Sequence, residues 1–349
     1  MTSYDRVMLM LHGKRHEVDR VPCINSVGTY TVDFMKACDA YWPFAHKDPE
    51  KMAKLASAAH RLCGLDNVSV PFDMTIEAEA LGATINFHEN TLRWPSIREF
   101  IKKDLSDLTL PQDVSKTGRI PLLVKAIEIL KKEFHGKVPV NAFIAPPFTS
   151  ISSYVVDTIT FLKSLRTDPP RVHALLKGVV DFYAEIARLY QDAGADVITF
   201  HEMGGSTDNI SPKHFEEFIV PYIKEVSASL KVPTILNICG SALPIIGKML
   251  ECGTNAIAID ERTPISKAKE VVEKASSNCV IIGNIPAHEI IHKGPVEAIR
   301  DAVRRAIKEG TDMVAPGCDF WLETPTEHVK AFVDAAIEFG APPPWVGGK

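Results

Sequence analysis

The sequence lacks the features that mark several classes of protein. It contains no run of 18 apolar residues, so no segment is predicted to cross a membrane as a helix. Residues 1–20 alternate charged and apolar side chains and have no uninterrupted apolar centre of the kind found in a signal peptide. Neither GxGxxG nor GxxxxGK[ST] occurs. We therefore predict no dinucleotide or nucleoside triphosphate site.

The chain also lacks an excess of positive charge and a dense set of cysteines. Lys and Arg number 39 against 44 Asp and Glu, which gives a formal net charge of −5. This mild acidity argues against a nucleic-acid binder, because such a protein needs a basic face for phosphates. Seven cysteines are scattered over 349 residues. Without a signal peptide, this usage predicts a reducing, cytoplasmic location and no disulfide framework.

Short apolar segments rich in β-branched residues recur along the chain. Their hydrophobicity is continuous rather than alternating, which is typical of parallel strands buried on both faces. A chain of 349 residues that is 46% hydrophobic can also bury a large core. The predicted strands are eight: 21–25, 67–72, 138–145, 195–200, 232–239, 256–260, 279–285 and 311–318.

Amphipathic helical patterns separate the later strands, at 171–193, 212–230, 241–251, 265–275, 296–309 and 327–339. Gly194, Gly253 and Gly310 each end a helix directly before a strand. The alternation predicts an α/β protein: a single (β/α)8 TIM barrel domain over 1–349 with an N-terminal extension. A doubly wound open sheet is the alternative. Residues 83–94 predict a β-hairpin inserted after the second strand, and 29–50 a long excursion after the first.

Polar residues follow the predicted strands, and in a parallel barrel their C-terminal ends converge on one face. Cys239 ends the fifth strand and Cys318 the eighth, each beside a glycine. Two thiolates with a nearby carboxylate or imidazole suit Zn²⁺ and leave a position open for substrate. The alternative is that both are buried, inert cysteines.

His201 and Glu202 follow the fourth strand, and only one of the two neighbours can face the axis. Asp260 and Glu261, after the sixth strand, present the same choice. A carboxylate at such a position favours function, because burying it unpaired is costly.

Several segments, in this order and spacing, resemble the uroporphyrinogen decarboxylase superfamily, and within it the corrinoid-dependent methyltransferase branch. They are 41–43 with 50–53, 71–82, 208–212, 237–240 with 244–245, 283–284, 294–296 and 315–325. The decarboxylases themselves are less similar, because their arginine-bearing RQAGRY motif is replaced by NSVGTY at 25–30. Without those arginines, a porphyrinogen with many carboxylates has few partners.

The resemblance is strongest to the methylcobamide:coenzyme M methyltransferases, whose zinc ligands are His-x-Cys on strand five and Cys on strand eight. It places the two cysteines on Cys239 and Cys318, but the histidine falls on Asn237, and an amide oxygen is a poor zinc ligand. The first choice for the third ligand is Glu202. The substitutes are His201, Asp260 and Glu261; Glu202 and Asn237 are also the predicted catalytic residues.

A carboxylate ligand would change the charge of the site. With two thiolates it would leave the empty zinc site at −1, which disfavours an anionic thiol and favours a neutral ether oxygen. Aromatic residues near the predicted metal suit a flat methoxylated ring as substrate. Phe143 is one such wall, and the predicted substrate contacts are Phe148, Tyr154, Phe320 and Trp321. Gly204, Gly205 and Asn284 are the predicted contacts of the corrinoid cofactor.

The resemblance, taken together with these residues, implies a zinc-dependent methyltransferase that demethylates methoxylated aromatic compounds and methylates the Co(I) corrinoid (cobalamin) of a partner protein. One alternative is a methylcobamide:coenzyme M methyltransferase, in which zinc activates the thiol. Others are a metal-free uroporphyrinogen decarboxylase and a non-enzymatic corrinoid-binding relative whose metal site decayed at Asn237. Neither nucleic acid nor a membrane is an expected partner, and a homo-oligomer is left open.

Overall fold

A computed structural model describes residues 1–345 and contains one six-stranded parallel sheet in the order β1-β4-β5-β6-β7-β8. Every residue of these strands is buried, as the continuous hydrophobicity predicted. The strands are β1 (Val68–Val70), β4 (Val140–Ile144), β5 (Val197–His201), β6 (Thr234–Ile238), β7 (Ala256–Ile259) and β8 (Val280–Ile282). Two further strands, β2 (Ile85–Asn86) and β3 (Ser96–Ile97), pair with each other.

The helices alternate with the strands from β4 onward, which confirms the predicted α/β class. Those before β4 are α1 (Ser3–Leu11), α2 (Val32–Cys38), α3 (Pro49–Ala56), α4 (Ala58–Cys63), α5 (Ile76–Ala80) and α6 (Ile120–Phe134). Those after it are α7 (Pro147–Ser150), α8 (Thr158–Thr167), α9 (Pro169–Asp192), α10 (Pro212–Phe218), α11 (Val220–Ala228), α12 (Ile246–Glu251), α13 (Ile265–Lys274), α14 (Val296–Glu309) and α15 (Thr326–Phe339). Within residues 1–345, no helix combines the length and apolarity that crossing a membrane requires.

The first and eighth predicted strands are present as isolated parallel bridges rather than as full strands. Met313 bridges to Ile282 of β8, and Val314 bridges to Cys23. The carbonyl oxygen of Cys23 in turn accepts a hydrogen bond of 2.8 Å from the N–H of Asp66, just before β1. These contacts link the two edges of the sheet. Prolines at 22 and 316 lack the N–H that a longer ladder would need.

The predicted hairpin insertion is present after β1, but its second strand lies later than predicted. Ile85 pairs antiparallel with Ile97, so the returning strand falls outside 83–94 and the connection spans 87–95. The predicted helix 212–230 is likewise two helices, α10 and α11. Pro221 lies in the first turn of α11, where the missing N–H costs no helical hydrogen bond.

The N-terminal helix α1 covers the end of the barrel at which the strands begin. Its side chains Val7 and Met10 belong to a buried cluster with residues from the strand starts, including Val197, Ile235 and Val280. Thr2 and Asp5 cap this helix reciprocally through a capping box. Because α1 occupies this end, the C-terminal ends of the strands are left for the functional site.

Candidate metal centre

Three side chains that can bind a metal meet where the strands end. His201 is the last residue of β5, Cys239 directly follows β6, and Cys318 follows the bridged segment 313–316. One ligand atom from each residue lies within 4.8 Å of the other two. His201 Nε2 is 3.5 Å from Cys239 Sγ. The structure thus brings together the two cysteines that the sequence singled out, together with a histidine.

The two sulfurs lie in contact and are joined as a disulfide, with the Cα atoms of Cys239 and Cys318 5.7 Å apart. This pairing differs from the expectation of free thiols. Once the bond is reduced, the two thiolates would have to separate to about 3.8 Å to share one tetrahedral zinc ion. Gly240 allows the chain to turn beside Cys239, because its φ is +115° and a Cβ there would lie 2.8 Å from Asp208.

The donor set suits a zinc ion. With Zn–N near 2.1 Å and Zn–S near 2.3 Å, a tetrahedral site places nitrogen and sulfur about 3.6 Å apart. The observed separation between His201 and Cys239 is 3.5 Å. Burial lowers the pKa of His201 to about 4, so its ring is neutral, as a metal ligand must be. Three protein ligands leave a fourth position for a substrate, which is the pattern of catalytic zinc.

Asn237 lies beside the cluster, opposite His201 on the neighbouring strand. The parallel register pairs His201 with Asn237, so the imidazole stands one strand away from the position that the resemblance assigns to it. The amide of Asn237 donates a 2.6 Å hydrogen bond to Ser26, and its Oδ1 is 3.7 Å from Cys239 Sγ. Asn237 is therefore a neighbour of the cysteine and has its amide nitrogen committed elsewhere.

Glu202, the first choice for the third ligand, lies outside the cluster. Its carboxylate accepts a hydrogen bond from Thr149, whose hydroxyl also accepts from the N–H of Gly204. Successive residues of an extended segment point to opposite sides, and here it is His201 that faces the sulfurs. Burial raises the pKa of Glu202 to about 8, although the hydrogen bonds with Thr149 lower it in part.

The other two substitutes also lie outside the cluster. Asp260 accepts hydrogen bonds from the N–H groups of Gly240 and Arg262, at 2.9 and 2.8 Å, so its carboxylate holds two loops. Glu261 is exposed, and its carboxylate lies so close to Gly317 that a Cβ at residue 317 would clash with it. The geometry therefore favours His201, one of the substitutes, over the first choice Glu202 and over Asp260 and Glu261.

A cavity of about 200 Å³ opens beside His201 and Cys318. Of the four aromatic residues predicted to contact substrate, Tyr154 alone lines it. Its other lining residues are Tyr30, Phe72, Asp73, Met74, Trp94, Pro95, Phe143, Met203 and Asp319. The cavity thus has aromatic walls, and Phe143 is among them as the sequence suggested, but most come from residues that the sequence did not identify as substrate contacts.

The remaining predicted aromatic residues lie elsewhere. Phe148 is buried against Phe161, with ring centroids 5.4 Å apart. Phe320 is buried against Phe332, at 5.6 Å. Trp321 is exposed and packs on the ring of His288. Phe320 and Trp321 follow Cys318 closely, but the turn after the cysteine directs them away from the cavity.

Two carboxylates line the cavity in different states. Asp73 is held by Arg119 at 2.8 Å, and although burial would raise its pKa, Arg119 and His46 hold that pKa well below its usual range. Asp319 accepts a 2.6 Å hydrogen bond from the hydroxyl of Tyr30 through Oδ2. Its Oδ1 is shielded from solvent and has no partner within residues 1–345. Burial raises the pKa of Asp319 to about 7, with Tyr30 opposing the shift.

The three residues predicted to contact the corrinoid stabilise loops through hydrogen bonds and close packing. A Cβ on Gly205 would lie 2.9 Å from Ile219, so this glycine permits close packing of the loop after β5. Gly204 donates its N–H to Thr149. The amide of Asn284 donates to the carbonyl oxygens of Asp260 and Thr263, at 3.0 and 2.7 Å. A role for Gly204, Gly205 and Asn284 toward the cofactor stays a prediction.

A parallel α/β sheet with metal-binding side chains and a cavity at its carboxyl ends is the arrangement of a barrel enzyme. The particular family follows from comparison with known proteins. The chain belongs to the uroporphyrinogen decarboxylase (URO-D) family, whose pattern it matches over residues 2–339.

Relatives and a solved structure narrow the comparison. The chain is 33% identical to the methylcobamide:CoM methyltransferase MtaA of Methanosarcina barkeri, over 97% of this chain and 99% of that protein. It is 28% identical to a methylated-thiol–coenzyme M methyltransferase of Methanosarcina mazei, over 98% of this chain and 91% of that protein. A solved methyltransferase from Methanosarcina mazei superimposes with a TM-score of 0.91 at 32% identity, covering 97% and 99% of the two chains.

These likenesses confirm the resemblance to the methyltransferase branch and the expectation of an enzyme of that class. They also bear on the choice between two reactions. The names of these relatives include methylcobamide, a methylated thiol and coenzyme M, and no methoxylated aromatic compound appears in these names. The thiol alternative is therefore better supported than the O-demethylation that the sequence favoured.

Proposed function

We propose that the protein transfers a methyl group between the cobalt of a partner corrinoid protein and a small thiol. His201, Cys239 and Cys318 would hold a zinc ion that activates the thiol. The observation that carries the proposal is the meeting of one imidazole nitrogen and two sulfurs within 4.8 Å, at the edge of a cavity. The relatives' names support the same reaction, and the thiol that appears in those names is coenzyme M.

The charge of the donor set favours a thiol. One neutral imidazole and two thiolates cancel the charge of Zn²⁺, so an incoming thiolate brings the site to −1 rather than −2. The argument against a thiol depended on Glu202 as a ligand, and the carboxylate of Glu202 is engaged with Thr149 instead. When bound, the ion would supply Lewis acidity that lowers the pKa of a thiol in the cavity.

The chain's own residues orient the thiol and exclude water. Tyr30, Phe72, Trp94 and Phe143 wall the cavity and limit the hydration of a sulfur nucleophile. The sulfur attacks the methyl carbon in line with the carbon–cobalt bond. The sulfur–carbon bond forms as the carbon–cobalt bond breaks, the electron pair stays on cobalt as Co(I), and the thiol proton is lost to solvent.

The demethylation of a methoxylated aromatic compound has less support. Three of the four predicted substrate contacts, Phe148, Phe320 and Trp321, do not line the cavity. The neutral charge of the donor set also removes the reason for preferring an ether oxygen over a thiol.

The test combines metal analysis with a methyl-transfer assay. Reduced, zinc-reconstituted protein should bind one zinc per chain and methylate a small thiol at the expense of methylcobalamin. Cys239→Ser should lose both properties, because it removes a metal ligand. Cys38→Ser, at a half-buried free cysteine on α2, is the matched control and should keep both. Zinc-free wild type, or thiol methylation undiminished in Cys239→Ser, would contradict the proposal.

A further inference from the structure

Resting on the proposed function, we infer that the side-chain amide of Asn237 turns over when the cysteines are reduced and bind zinc, and that its N–H then donates a hydrogen bond to the thiolate of Cys239. Asn237 is in this way a positioning residue of the metal centre. It does not bind the ion, but it sets how strongly one of the sulfur ligands does. This gives a role to the residue that stands where the resemblance expects a histidine.

The contact between Asn237 and Cys239 is set by the backbone rather than by the sulfur–sulfur bond. Asn237 lies in β6 and Cys239 directly follows that strand, so the two side chains, two positions apart, lie on the same side. Oδ1 of the amide is 3.7 Å from Sγ of the cysteine. The amide therefore stays beside the sulfur when the two cysteines separate to share an ion.

The amide of Asn237 presents its oxygen to this sulfur. The contact is tolerable while the sulfur belongs to a neutral disulfide. A zinc-bound thiolate is different, because it carries negative charge and has no proton to donate to the amide oxygen. Turning the amide over exchanges oxygen and nitrogen at nearly unchanged positions. An N–H then points at the thiolate, and hydrogen bonds to charged acceptors are among the stronger ones.

Ser26, on the other side of the amide, accommodates the same reversal. Its Oγ is 2.6 Å from Nδ2 of Asn237. That separation is short for an N–H···O bond, at about 2.7–3.2 Å, and falls within the range of about 2.5–3.0 Å for O–H···O. A serine hydroxyl can donate as well as accept, so after the reversal it donates to Oδ1. Both side chains are buried, so their hydrogen bonds have to be made within the protein, and the reversal keeps them.

The hydrogen bond acts on the incoming thiol through the ion. An N–H withdraws negative charge from the sulfur that accepts it, so Cys239 donates less to zinc and the ion keeps more Lewis acidity for its fourth ligand. A more acidic ion favours the thiolate form of the substrate that it binds. This matters in a donor set with two thiolates, which otherwise neutralise the charge of the ion before the substrate arrives.

Replacing zinc by a magnetically active isotope of cadmium makes the hydrogen bond observable. The nuclear spin of Cd²⁺ couples to a proton that is hydrogen-bonded to a ligand sulfur. In reduced, cadmium-loaded protein with isotope-labelled asparagine, one side-chain amide proton should be split by the metal, and the splitting should vanish with a spin-silent cadmium isotope. The coupled signal should be lost in Asn237→Leu, whose side chain is similar in size but has no N–H. Asn278→Leu makes the same substitution at an exposed position and should keep it.

Cobalt(II) in place of zinc reports how strongly the sulfurs donate. The sulfur-to-metal charge-transfer absorption should move to longer wavelength in Asn237→Leu and stay in place in Asn278→Leu, with thermal melting showing that each variant is folded. Cadmium bound at His201, Cys239 and Cys318 without a coupled amide proton, a coupling that persists in Asn237→Leu, or an unmoved absorption in that variant overturns the inference and leaves the proposed function standing. A reduced protein that binds none of these metals at the three residues overturns the proposed function, and the inference with it.

Discussion

Exchanging His201 and Asn237 tests whether the histidine of the proposed metal centre lies on β5 instead of on the neighbouring strand β6. The two residues are paired across β5 and β6. Neighbouring strands lie about 4.8 Å apart, so an imidazole on either strand can reach a common point near the sulfurs. The double variant His201→Asn/Asn237→His would restore the His-x-Cys order expected from the resemblance and should therefore bind zinc.

The two single variants should behave differently from each other. His201→Asn leaves two thiolates, and zinc affinity should fall at least about 100-fold, since the loss of an outer-shell partner alone costs 10- to 100-fold. Asn237→His keeps His201 and adds a fourth ligand. It should retain zinc but lose thiol methylation, because the open position is filled.

The structure also predicts a cost for placing histidine at position 237. The amide of Asn237 donates a 2.6 Å hydrogen bond to Ser26, and both residues are buried. Losing this donor should lower the free energy of unfolding by about 1–3 kcal/mol. The double variant should therefore be slightly less stable than the wild type, with methylation within about tenfold of it.

The measurements are competitive zinc titration with a chromophoric chelator, methyl transfer from methylcobalamin, and chemical unfolding. The reasoning fails if His201→Asn binds zinc as tightly as the wild type. It also fails if the double variant is as defective as His201→Asn while remaining folded.

Three further predictions concern one residue next to the metal cluster and two buried ionisable side chains. Glu202→Gln should keep full zinc stoichiometry and affinity, because its carboxylate contacts Thr149 rather than the cluster; a fall in affinity comparable to that of His201→Asn would return Glu202 to the ligand set. Burial raises the pKa of Glu77 from 4.5 to about 8, so the folded chain keeps this carboxyl protonated up to a higher pH than the unfolded chain does. The resulting stabilisation of the fold is complete below about pH 4.5 and is lost as the pH rises to about 8. Glu77→Gln should remove up to about 5 kcal/mol of that pH dependence in denaturant titrations, whereas exposed Glu185→Gln should leave the slope unchanged. Arg119→Met should lower the free energy of unfolding by about 3–5 kcal/mol, because it leaves the buried Asp73 carboxylate without its partner; a thermal melt like that of the wild type would contradict this.

The sequence was sufficient for the architecture because buried parallel strands leave a strong hydrophobic signal. β4, β6, β7 and β8 fall inside predicted strands, β5 runs one residue past its predicted end to His201, and each strand is wholly buried. The edges were harder to predict. Residues around Cys23 and Val314 form single bridges, because the prolines at 22 and 316 cannot donate to a longer ladder. The returning strand of the hairpin was misplaced because its connection is longer than the short turns that sequence patterns indicate.

The site was predictable where chemistry is specified by a single residue type. Cys239 and Cys318 were identified from their positions at strand ends, and their sulfurs do meet. The choice between His201 and Glu202 could not be predicted. Alternation along an extended segment shows that only one of the two faces the barrel axis, but it does not show which one. Pairing β5 with β6 decides it, since the register sets His201 beside Asn237. That register is a long-range property that local sequence does not carry.

The cavity was predicted least well. Tyr30 and Trp94 are 64 positions apart, yet a hydrogen bond joins them beside Asp319. Phe148 and Phe320 are aromatic and lie close in sequence to the site, but they pack into the core. Aromatic character alone does not distinguish a residue of the cavity wall from a core residue, because burying the apolar surface of the ring is favourable in both environments. Asp319 carried one local signal, its position directly after Cys318.

The most direct test of the account is zinc K-edge X-ray absorption of the reduced, zinc-reconstituted protein. The account predicts one zinc per chain with two sulfur ligands at about 2.3 Å and one imidazole nitrogen at about 2.0–2.1 Å, the imidazole signal disappearing in His201→Asn. A protein that stays free of zinc after reduction and reconstitution, or a zinc shell without two sulfurs, would contradict it.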